Sequence, residues 1–207
     1  MARSKTSNRW LNEHFNDRFV QQAKKDGLRS RAAYKLEELS KKDRLIKPGQ
    51  RIIDLGAAPG GWSQWLSQYL HGKAYVLATD ILPMDALPDV EFIQGDFREA
   101  EVLEKILAAI GDEGADLVLS DMAPNMSGMD AIDQPKSMYL VELALDLATQ
   151  VLCKDGGFVV KVFQGRDFEL FLANCREKFA TVRVRKPEAS RGRSREVYIV
   201  ATGFKGT

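Results

Sequence analysis

The segment DLGAAPGGW, residues 54–62, decides the fold expected of this chain. An apolar stretch at 51–53 leads into Asp54, a turn of small residues with three glycines follows, and the periodic segment WSQWLSQYL begins at Trp62. Strand, tight turn and helix form the arrangement in which a cofactor lies against the backbone at a helix N-terminus. Glycine is favoured where the chain turns sharply or where a ligand approaches the main chain closely. The segment therefore predicts a cofactor-binding loop.

Strands and helices alternate along the chain on both sides of this loop. The apolar patterns predict helices at 12–25, 30–44, 62–70, 99–110, 135–153 and 167–178, and strands at 51–55, 74–79, 90–94, 115–120, 157–163, 181–185 and 196–202. Short links between strands and helices predict a parallel sheet with helices on both faces. The last two strands have no helix between them and are expected to pair antiparallel. We therefore predict an α/β, Rossmann-like fold with a mostly parallel seven-stranded sheet and an antiparallel last strand.

This length fits one such domain, which we expect over residues 30–207, preceded by a basic and partly mobile extension over residues 1–29. No run of about 18 apolar residues occurs, so no transmembrane helix is expected. The basic N-terminus lacks the apolar core of a secretory signal. The two cysteines, Cys153 and Cys175, fall in helical patterns far from the two histidines, His14 and His71, so their spacing predicts no metal site. This cysteine usage is typical of buried free thiols in a reducing compartment, so we expect a cytoplasmic protein.

The net charge of +1 conceals an uneven distribution. Residues 1–51 carry +8, residues 52–175 carry −13, and residues 176–207 carry +6. Two basic ends around an acidic middle are typical of a protein with one face toward a polyanion, although two unrelated solvated faces would give the same totals. Lysine and arginine contacts to phosphate give nucleic-acid affinity with little sequence selectivity. The arginines predicted to bind RNA lie in the two dense clusters: Arg29, Arg31, Arg191, Arg193 and Arg195.

Carboxylates at strand ends indicate which cofactor the loop binds. The dinucleotide fingerprint GxGxxG fails here, because position 58 is alanine and Pro59 follows it. Asp80 ends the second strand, where a carboxylate can accept both ribose hydroxyls of a nucleoside. Asp96 follows the third strand beside Phe97, where it can meet the amino edge of an adenine. These positions indicate an adenosine-containing cofactor.

Asp54, at the head of the loop, distinguishes among such cofactors. Its carboxylate would repel a pyrophosphate and attract an ammonium group. S-adenosylmethionine carries an adenosine and an ammonium group and has no pyrophosphate, so it fits all these positions. The predicted cofactor-binding residues all belong to this edge of the sheet: Asp54, Gly56, Ala58, Pro59, Gly60, Trp62, Asp80, Asp96, Phe97 and Asp121.

Four further charged residues stand where the pattern predicts apolar side chains or strand ends. Lys161 interrupts the apolar strand GFVVKVF, and a lysine in a buried strand is costly unless it is paired or functional. Lys35 lies on the apolar-patterned helix at 30–44. Asp121 ends the fourth strand and Glu196 opens the last one. Each residue alone is compatible with a structural ion pair.

Together, the four resemble the K-D-K-E tetrad of the FtsJ/RrmJ family of RNA ribose 2′-O-methyltransferases. The resemblance covers nearly the whole chain, through seven segments in order: RSRAAYKL (29–36), DLGAAPGGW (54–62), DILPMD (80–85), QGDF (94–97), SDMAPNMSG (120–128), VVKVFQG (159–165) and SREVYIVATG (194–203).

The resemblance implies transfer of a methyl group from S-adenosylmethionine to the ribose 2′-OH of a uridine in large-subunit (23S) ribosomal RNA, in the assembled 50S particle. A monomer is expected. Lys35, Asp121, Lys161 and Glu196 would be catalytic, with Lys161 as the proton acceptor.

The residues themselves leave four questions open. A charged Lys161 could orient the hydroxyl and stabilise the developing alkoxide instead of accepting its proton. Base N-methylation is a second enzymatic interpretation, although the proline pair and aromatic residue common in that chemistry are missing from SDMAPNM. The third is a non-catalytic RNA-binding or ribosome-assembly factor. Trp10 and Phe15 could stack on a base or simply pack an amphipathic helix on the domain.

Overall fold

The computed structural model describes residues 17–125 and 127–206. The helices are α1 (Arg18–Lys25), α2 (Ala32–Asp43), α3 (Gly61–Leu70), α4 (Ala100–Ile110), α5 (Asp130–Val151) and α6 (Phe168–Lys178). The strands are β1 (Arg51–Leu55), β2 (Tyr75–Asp80), β3 (Val90–Gln94), β4 (Ala115–Ser120), β5 (Leu152–Phe163), β6 (Phe179–Arg185) and β7 (Glu196–Phe204).

All seven strands form one sheet in the order β3-β2-β1-β4-β5-β7-β6. The first five are parallel, whereas β7 pairs antiparallel with both β5 and β6. The predicted fold class and the antiparallel pairing of the last two strands are thus confirmed. Because the chain leaves β1 toward β2 on one side and returns to β4 on the other, the loops after β1 and β4 diverge. This divergence opens a crevice at the carboxyl ends of the strands, where ligands bind in such sheets.

Successive side chains of a strand point to opposite faces of the sheet, which builds two separate apolar layers. Ile53 faces the layer formed by α4, α5 and α6, together with Phe158. Its neighbour Ile52 faces the layer formed by α2 and α3, together with Val159. All four side chains are fully buried. The sheet between these layers is a rigid support for the residues at its carboxyl edge.

Most boundaries lie within two residues of the prediction, but two elements start five residues earlier than predicted. Helix α5 begins at Asp130, five residues before Pro135, although proline usually marks the first turn of a helix. Strand β5 begins at Leu152, since Leu152 pairs with Ala115 across a register shift in the ladder. Cys153 therefore lies in a strand and is partly buried; its predicted helical context was wrong. Cys175 lies in α6 and is buried, and both thiols are free.

Only part of the N-terminal prediction falls on described residues. Helix α1 begins at Arg18, and its N-cap Asp17 accepts a hydrogen bond from the Phe19 N–H at 2.9 Å. Val20 and Ala23 are buried, so α1 packs onto the domain. Residues 12–16 of the predicted helix, along with Trp10, lie outside the described residues. The boundary at residue 29 stays a prediction.

Candidate active site

The loop after β1 is shaped by glycines with left-handed backbone conformations. Gly56 has φ +71° and Gly60, the N-cap of α3, has φ +101°. A Cβ on Gly56 would lie 2.2 Å from Cγ of Met122, and one on Gly60 would lie 2.9 Å from Sδ of Met84. Of the two reasons for glycine considered from the sequence, the sharp turn is confirmed at Gly56 and Gly60, and the close approach of a ligand stays a prediction. Both glycines are required by the backbone conformation and by close contacts with other loops.

Two charged side chains hold this loop in place. The Arg29 guanidinium donates hydrogen bonds to the carbonyl oxygens of Pro59 (3.3 Å), Asp85 (2.8 Å) and Ala86 (3.0 Å). Asp80 accepts hydrogen bonds from the backbone N–H of Ala58 and of Leu82, at 2.9 and 2.8 Å. Arg29, predicted to bind RNA, therefore directs its guanidinium at the cofactor loop and the loop after β2.

A cavity of about 180 Å³ lies over the loop, at the crevice between β1 and β4. Its lining includes six residues predicted to bind the cofactor: Asp54, Gly56, Ala58, Pro59, Trp62 and Asp121. The other four predicted residues lie outside this lining: Gly60, Asp80, Asp96 and Phe97. Asp96 forms an ion pair with Arg98, and Phe97 packs against the α4–α6 side of the core. Their predicted contacts with the adenine stay predictions.

Asp54 is a carboxylate almost wholly shielded from solvent in the wall of this cavity. It is 1% exposed, and the Ser63 hydroxyl donates a hydrogen bond to its Oδ2 at 2.7 Å. Burial raises the pKa of Asp54 to about 7, and the nearby Asp121 and Asp80 add to the rise, against the opposing effect of the Ser63 bond. The described residues give Asp54 a hydroxyl partner and no ion pair. A cationic ligand fits this position, since it would supply the missing opposite charge.

The predicted tetrad is assembled at the same edge of the sheet. Nζ of Lys161, in β5, lies 3.1 Å from Oδ1 of Asp121 and donates a hydrogen bond to the Asp121 carbonyl oxygen at 2.5 Å. Nζ of Lys35, in α2, lies 2.8 Å from Oε1 of Glu196 and 3.9 Å from Oδ1 of Asp121. Both lysines are less than a tenth exposed. The structure thus joins four residues that are separated by as much as 161 positions in the sequence.

Tyr198 is a fifth member of this cluster, which sequence reasoning missed. Its hydroxyl accepts a hydrogen bond from Lys35 Nζ at 3.0 Å and donates one to Asp121 Oδ1 at 2.5 Å. Tyr198 pairs with Lys161 in the β5–β7 ladder, and its side chain is fully buried. Burial and the nearby carboxylates raise its pKa well above the ordinary tyrosine value, so the hydroxyl keeps its proton and acts as a donor.

Asp121 is ionised despite its enclosed position. Burial alone would raise its pKa, but the charges of Lys161 and Lys35 and the Tyr198 hydrogen bond outweigh burial and hold the pKa below the ordinary value. Asp121 lines the cavity, and its side chain also belongs to the tetrad. It therefore connects the two halves of the site, which are the cavity with Asp54 and the tetrad around Lys161.

The basic segment between β6 and β7 lies against the tetrad. The Ser190 hydroxyl donates a hydrogen bond to Oε1 of Glu196 at 2.7 Å. Arg31 contacts the Ala189 carbonyl oxygen and forms an ion pair with Asp17. Arg191 also approaches Asp17, at 3.6 Å.

Arg193 and Arg195, the other arginines of this segment, have partners of their own. The structure does not test RNA binding by any of the five predicted arginines, and that role stays a prediction. Within residues 17–125 and 127–206, no three His, Cys, Asp or Glu side chains group around a possible metal position. No helix in this part of the chain has the length and apolar character to cross a bilayer.

Known proteins resemble this chain in both sequence and fold. Residues 28–204 match the FtsJ-like methyltransferase family. A candidate ribosomal RNA methyltransferase from Plasmodium falciparum is 30% identical, with a TM-score of 0.75 over 86% of this chain and 100% of that one. Two more distant structures share the fold. A candidate hemolysin from Lactococcus lactis is 18% identical, with a TM-score of 0.61 over 87% of this chain and 90% of that one. Human methyltransferase-like protein 13 in complex with SAH is 17% identical, with a TM-score of 0.54 over 80% of this chain and 75% of that one. Because the family match spans most of the domain, this chain belongs to the FtsJ-like methyltransferase family.

Proposed function

We propose that this methyltransferase transfers a methyl group from S-adenosylmethionine to the ribose 2′-OH of a uridine in large-subunit (23S) ribosomal RNA, in the assembled 50S particle. The observation that carries the proposal is the position of Asp121, which is one of the residues lining the cavity and whose Oδ1 lies 3.1 Å from Lys161 Nζ. A methyl donor in the cavity and an acceptor hydroxyl at Lys161 would therefore be neighbours. Holding two reactants in the right geometry lowers the barrier to such a transfer substantially.

The cofactor contacts follow from charge and position. Asp54 would bind the ammonium group of the methionine part, and Asp80 the ribose hydroxyls of the adenosine. Asp96 and Phe97 would meet the adenine from the end of β3. S-adenosylmethionine supplies a methyl group already activated on a sulfonium, so the protein needs to align the acceptor and manage one proton.

The contacts of Lys161 support a role for it in managing that proton. Two of its Nζ positions face Asp121, one toward the carboxylate and one toward the carbonyl oxygen. Both contacts require N–H groups, which leaves the third tetrahedral position of Nζ for the substrate. We assign the neutral amine of Lys161, which has its lone pair at that third position, as the acceptor of the hydroxyl proton, with Asp121 fixing the amine and Lys35 stabilising the carboxylates around it. General-base catalysis of this kind contributes roughly 10² to 10⁴ in rate.

The basic segments supply the reason to propose RNA as the substrate. Arg31 and Arg191 lie next to the tetrad, linked through Asp17 and the segment that holds Glu196. The Plasmodium falciparum neighbour is described as a candidate ribosomal RNA methyltransferase. RNA recognition at such a site depends on shape and on unstacked nucleotides more than on base pairs.

The experiment that tests this function maps the methylated nucleoside. The protein is incubated with labelled S-adenosylmethionine and either naked 23S RNA or 50S particles from cells lacking the enzyme, and the RNA is digested to nucleosides. We expect label in 2′-O-methyluridine, with more from particles than from naked RNA. A short RNA carrying 2′-deoxyuridine at the mapped position should give no product there. Product on that RNA, or label on a base, would contradict the ribose assignment.

A further inference from the structure

The first turns of α5 carry a buried carboxylate whose partners lie outside the helix. Asp133 is 3% exposed. Its Oδ1 accepts hydrogen bonds from the backbone N–H and the hydroxyl of Ser127, both at 2.8 Å, and its Oδ2 accepts one from the Gly128 N–H at 2.9 Å. These three bonds hold the far end of the loop that begins at Asp121.

The next residue of the helix holds a different loop. Gln134 Nε2 donates hydrogen bonds to the carbonyl oxygens of Phe163 (3.2 Å) and Arg166 (3.1 Å). A Cβ built on Gly165 would lie 2.6 Å from the Gln134 side-chain amide, so the loop is packed directly on it. This loop follows β5 and starts three residues after Lys161.

The two loops therefore leave the two strands that carry the Lys161–Asp121 ion pair, and adjacent residues of one helix tie both of them down. We propose that Asp133 and Gln134, the α5 clasp, are positioning residues that fix the distance between Lys161 and Asp121 for the acceptor ribose. This inference rests on the proposed function, because it assigns the clasp to the acceptor side of that same reaction.

The charge of Asp133 supports the assignment. The hydrogen bond from the Ser127 backbone N–H is the main cause that lowers the pKa of Asp133, and the bonds from the Ser127 hydroxyl and the Gly128 N–H lower it further. Together they outweigh the opposing effect of burial and hold this pKa below the ordinary carboxyl value. The carboxylate is thus ionised at neutral pH, and its three bonds are charge-assisted, roughly twice as strong as neutral ones. An amide at this position would present an N–H₂ group toward at least one of the three donors.

A purely structural role would be to cap α5. Met129 occupies the N-cap position, and no side chain caps the helix there. If Asp133 and Gln134 are positioning residues, a substitution there should lower the rate of methyl transfer while the affinity for the cofactor stays the same. The two roles therefore differ in which quantity a substitution changes.

The test uses Asp133→Asn and Gln134→Leu in the full chain, with Glu142→Gln as the matched control. Glu142 lies on the same helix and is exposed. The measurements are the single-turnover rate of methyl transfer to 50S particles, the cofactor dissociation constant and the melting temperature. We expect Asp133→Asn to lower the rate between about tenfold and about a hundredfold, with cofactor affinity close to that of Glu142→Gln and a melting temperature that is lower, because a buried donor loses its acceptor, but still above the assay temperature.

Two additional readouts separate positioning from folding. Backbone amide exchange at Ser127 and Gly128 should be faster in Asp133→Asn, and this measurement needs no RNA. Ser127→Ala should lower the rate in the same direction, and the Asp133→Asn/Ser127→Ala double variant should be no slower than Asp133→Asn alone, because both act through one contact.

The outcomes distinguish the clasp from the function on which it rests. If the wild-type protein methylates no RNA, the proposed function fails. If the wild type is active and Asp133→Asn matches Glu142→Gln in rate, the clasp is overturned. A rate loss accompanied by an equal loss of cofactor affinity, or additive effects in the double variant, would overturn it too.

Discussion

Asp54 and Asp121 end two neighbouring parallel strands and line the same cavity, yet their environments are opposite. Asp54 has a hydroxyl partner and a pKa raised to about 7 by burial, with further contributions from Asp121 and Asp80. Asp121 is also enclosed, but two lysines and a tyrosine hydroxyl hold its pKa below the ordinary value. Among the described residues, the Asp54 carboxylate has no positively charged partner, whereas the Asp121 carboxylate is paired with Lys161 and Lys35.

This difference indicates how the two halves work. The buried Asp54 carboxylate has no positive partner, so the binding of a cationic ligand there would be coupled to the ionisation of Asp54. The Asp121 half is preassembled, as expected for groups that must be in place before the acceptor arrives.

The largest expected effect on the rate of methyl transfer comes from removing the Lys161 amine, which contacts Asp121 in the preassembled half. Lys161→Ala should reduce methyl transfer by about a thousandfold or more, since both the proposed proton acceptor and the partner of Asp121 are lost. Single-turnover assays with saturating cofactor measure this. The control is Lys154→Ala, which removes an exposed lysine from the same strand. A Lys161→Ala enzyme with more than a tenth of wild-type activity would contradict the assigned role.

The pH dependence of cofactor binding should reveal the ionisation of Asp54. Below pH of about 7 most Asp54 side chains are protonated, so cofactor affinity should rise by up to about tenfold per pH unit until pH 7 and then level off. Asp54→Asn should bind more weakly and lose this slope. Calorimetric titration at several pH values measures both, and a wild-type affinity that does not change between pH 5.5 and 8 would contradict the assignment.

The same pKa affects the stability of the ligand-free protein. Asp54 binds its proton more tightly when folded than at its ordinary pKa of 3.8. Its contribution to the free energy of unfolding is therefore fully present below about pH 4 and is lost as pH rises through about 7, on the order of a few kcal/mol. Asp54→Asn should remove this decline in urea-unfolding experiments, because the amide does not ionise.

A smaller loss is expected from the Tyr198 hydroxyl. Tyr198→Phe keeps the buried ring and removes the group that bridges Lys35 and Asp121, so transfer should slow by about tenfold, as for one hydrogen bond to a charged group. Tyr69→Phe is the control, since Tyr69 is half exposed and stacks on Trp65 away from the tetrad. Equal rates for the two variants would show that the bridge has no role in transfer.

The smallest effect tests the position of Arg29. Arg29→Ala should weaken cofactor binding by about fivefold through loss of charge-assisted bonds to the two loops, and should leave the salt dependence of RNA binding unchanged. Lys42→Ala, a change at an exposed lysine of α2, controls for net charge. A flatter salt dependence with unchanged cofactor affinity would instead place Arg29 on the RNA.

The sequence predicted the fold and the tetrad because their signals are local or unusual. Strand-end carboxylates such as Asp54 and Asp121 follow apolar runs directly, and Lys161 is conspicuous in a strand that is otherwise apolar. A parallel sheet then brings strand ends to one edge without further information.

Other parts of the site have no comparable signal. Tyr198 is a buried aromatic residue in a strand, which packing alone explains, and only its hydroxyl contacts show its place in the tetrad. Asp133 contacts chiefly backbone groups, which carry no sequence pattern. The early start of α5 was missed because the apolar pattern of this helix begins only at Met138. The early start of β5 was missed because it depends on a register shift opposite Ala115.

The most direct test of the division between the two halves is one titration series. S-adenosylmethionine is titrated calorimetrically at pH 8 into the wild-type protein, Asp54→Asn and Lys161→Ala. We predict that Asp54→Asn binds about tenfold to a hundredfold more weakly, as expected when a hydrogen bond to a charged group is lost, and that Lys161→Ala binds within a few-fold of the wild type. Equal losses of cofactor affinity in both variants, or a loss confined to Lys161→Ala, would contradict the account.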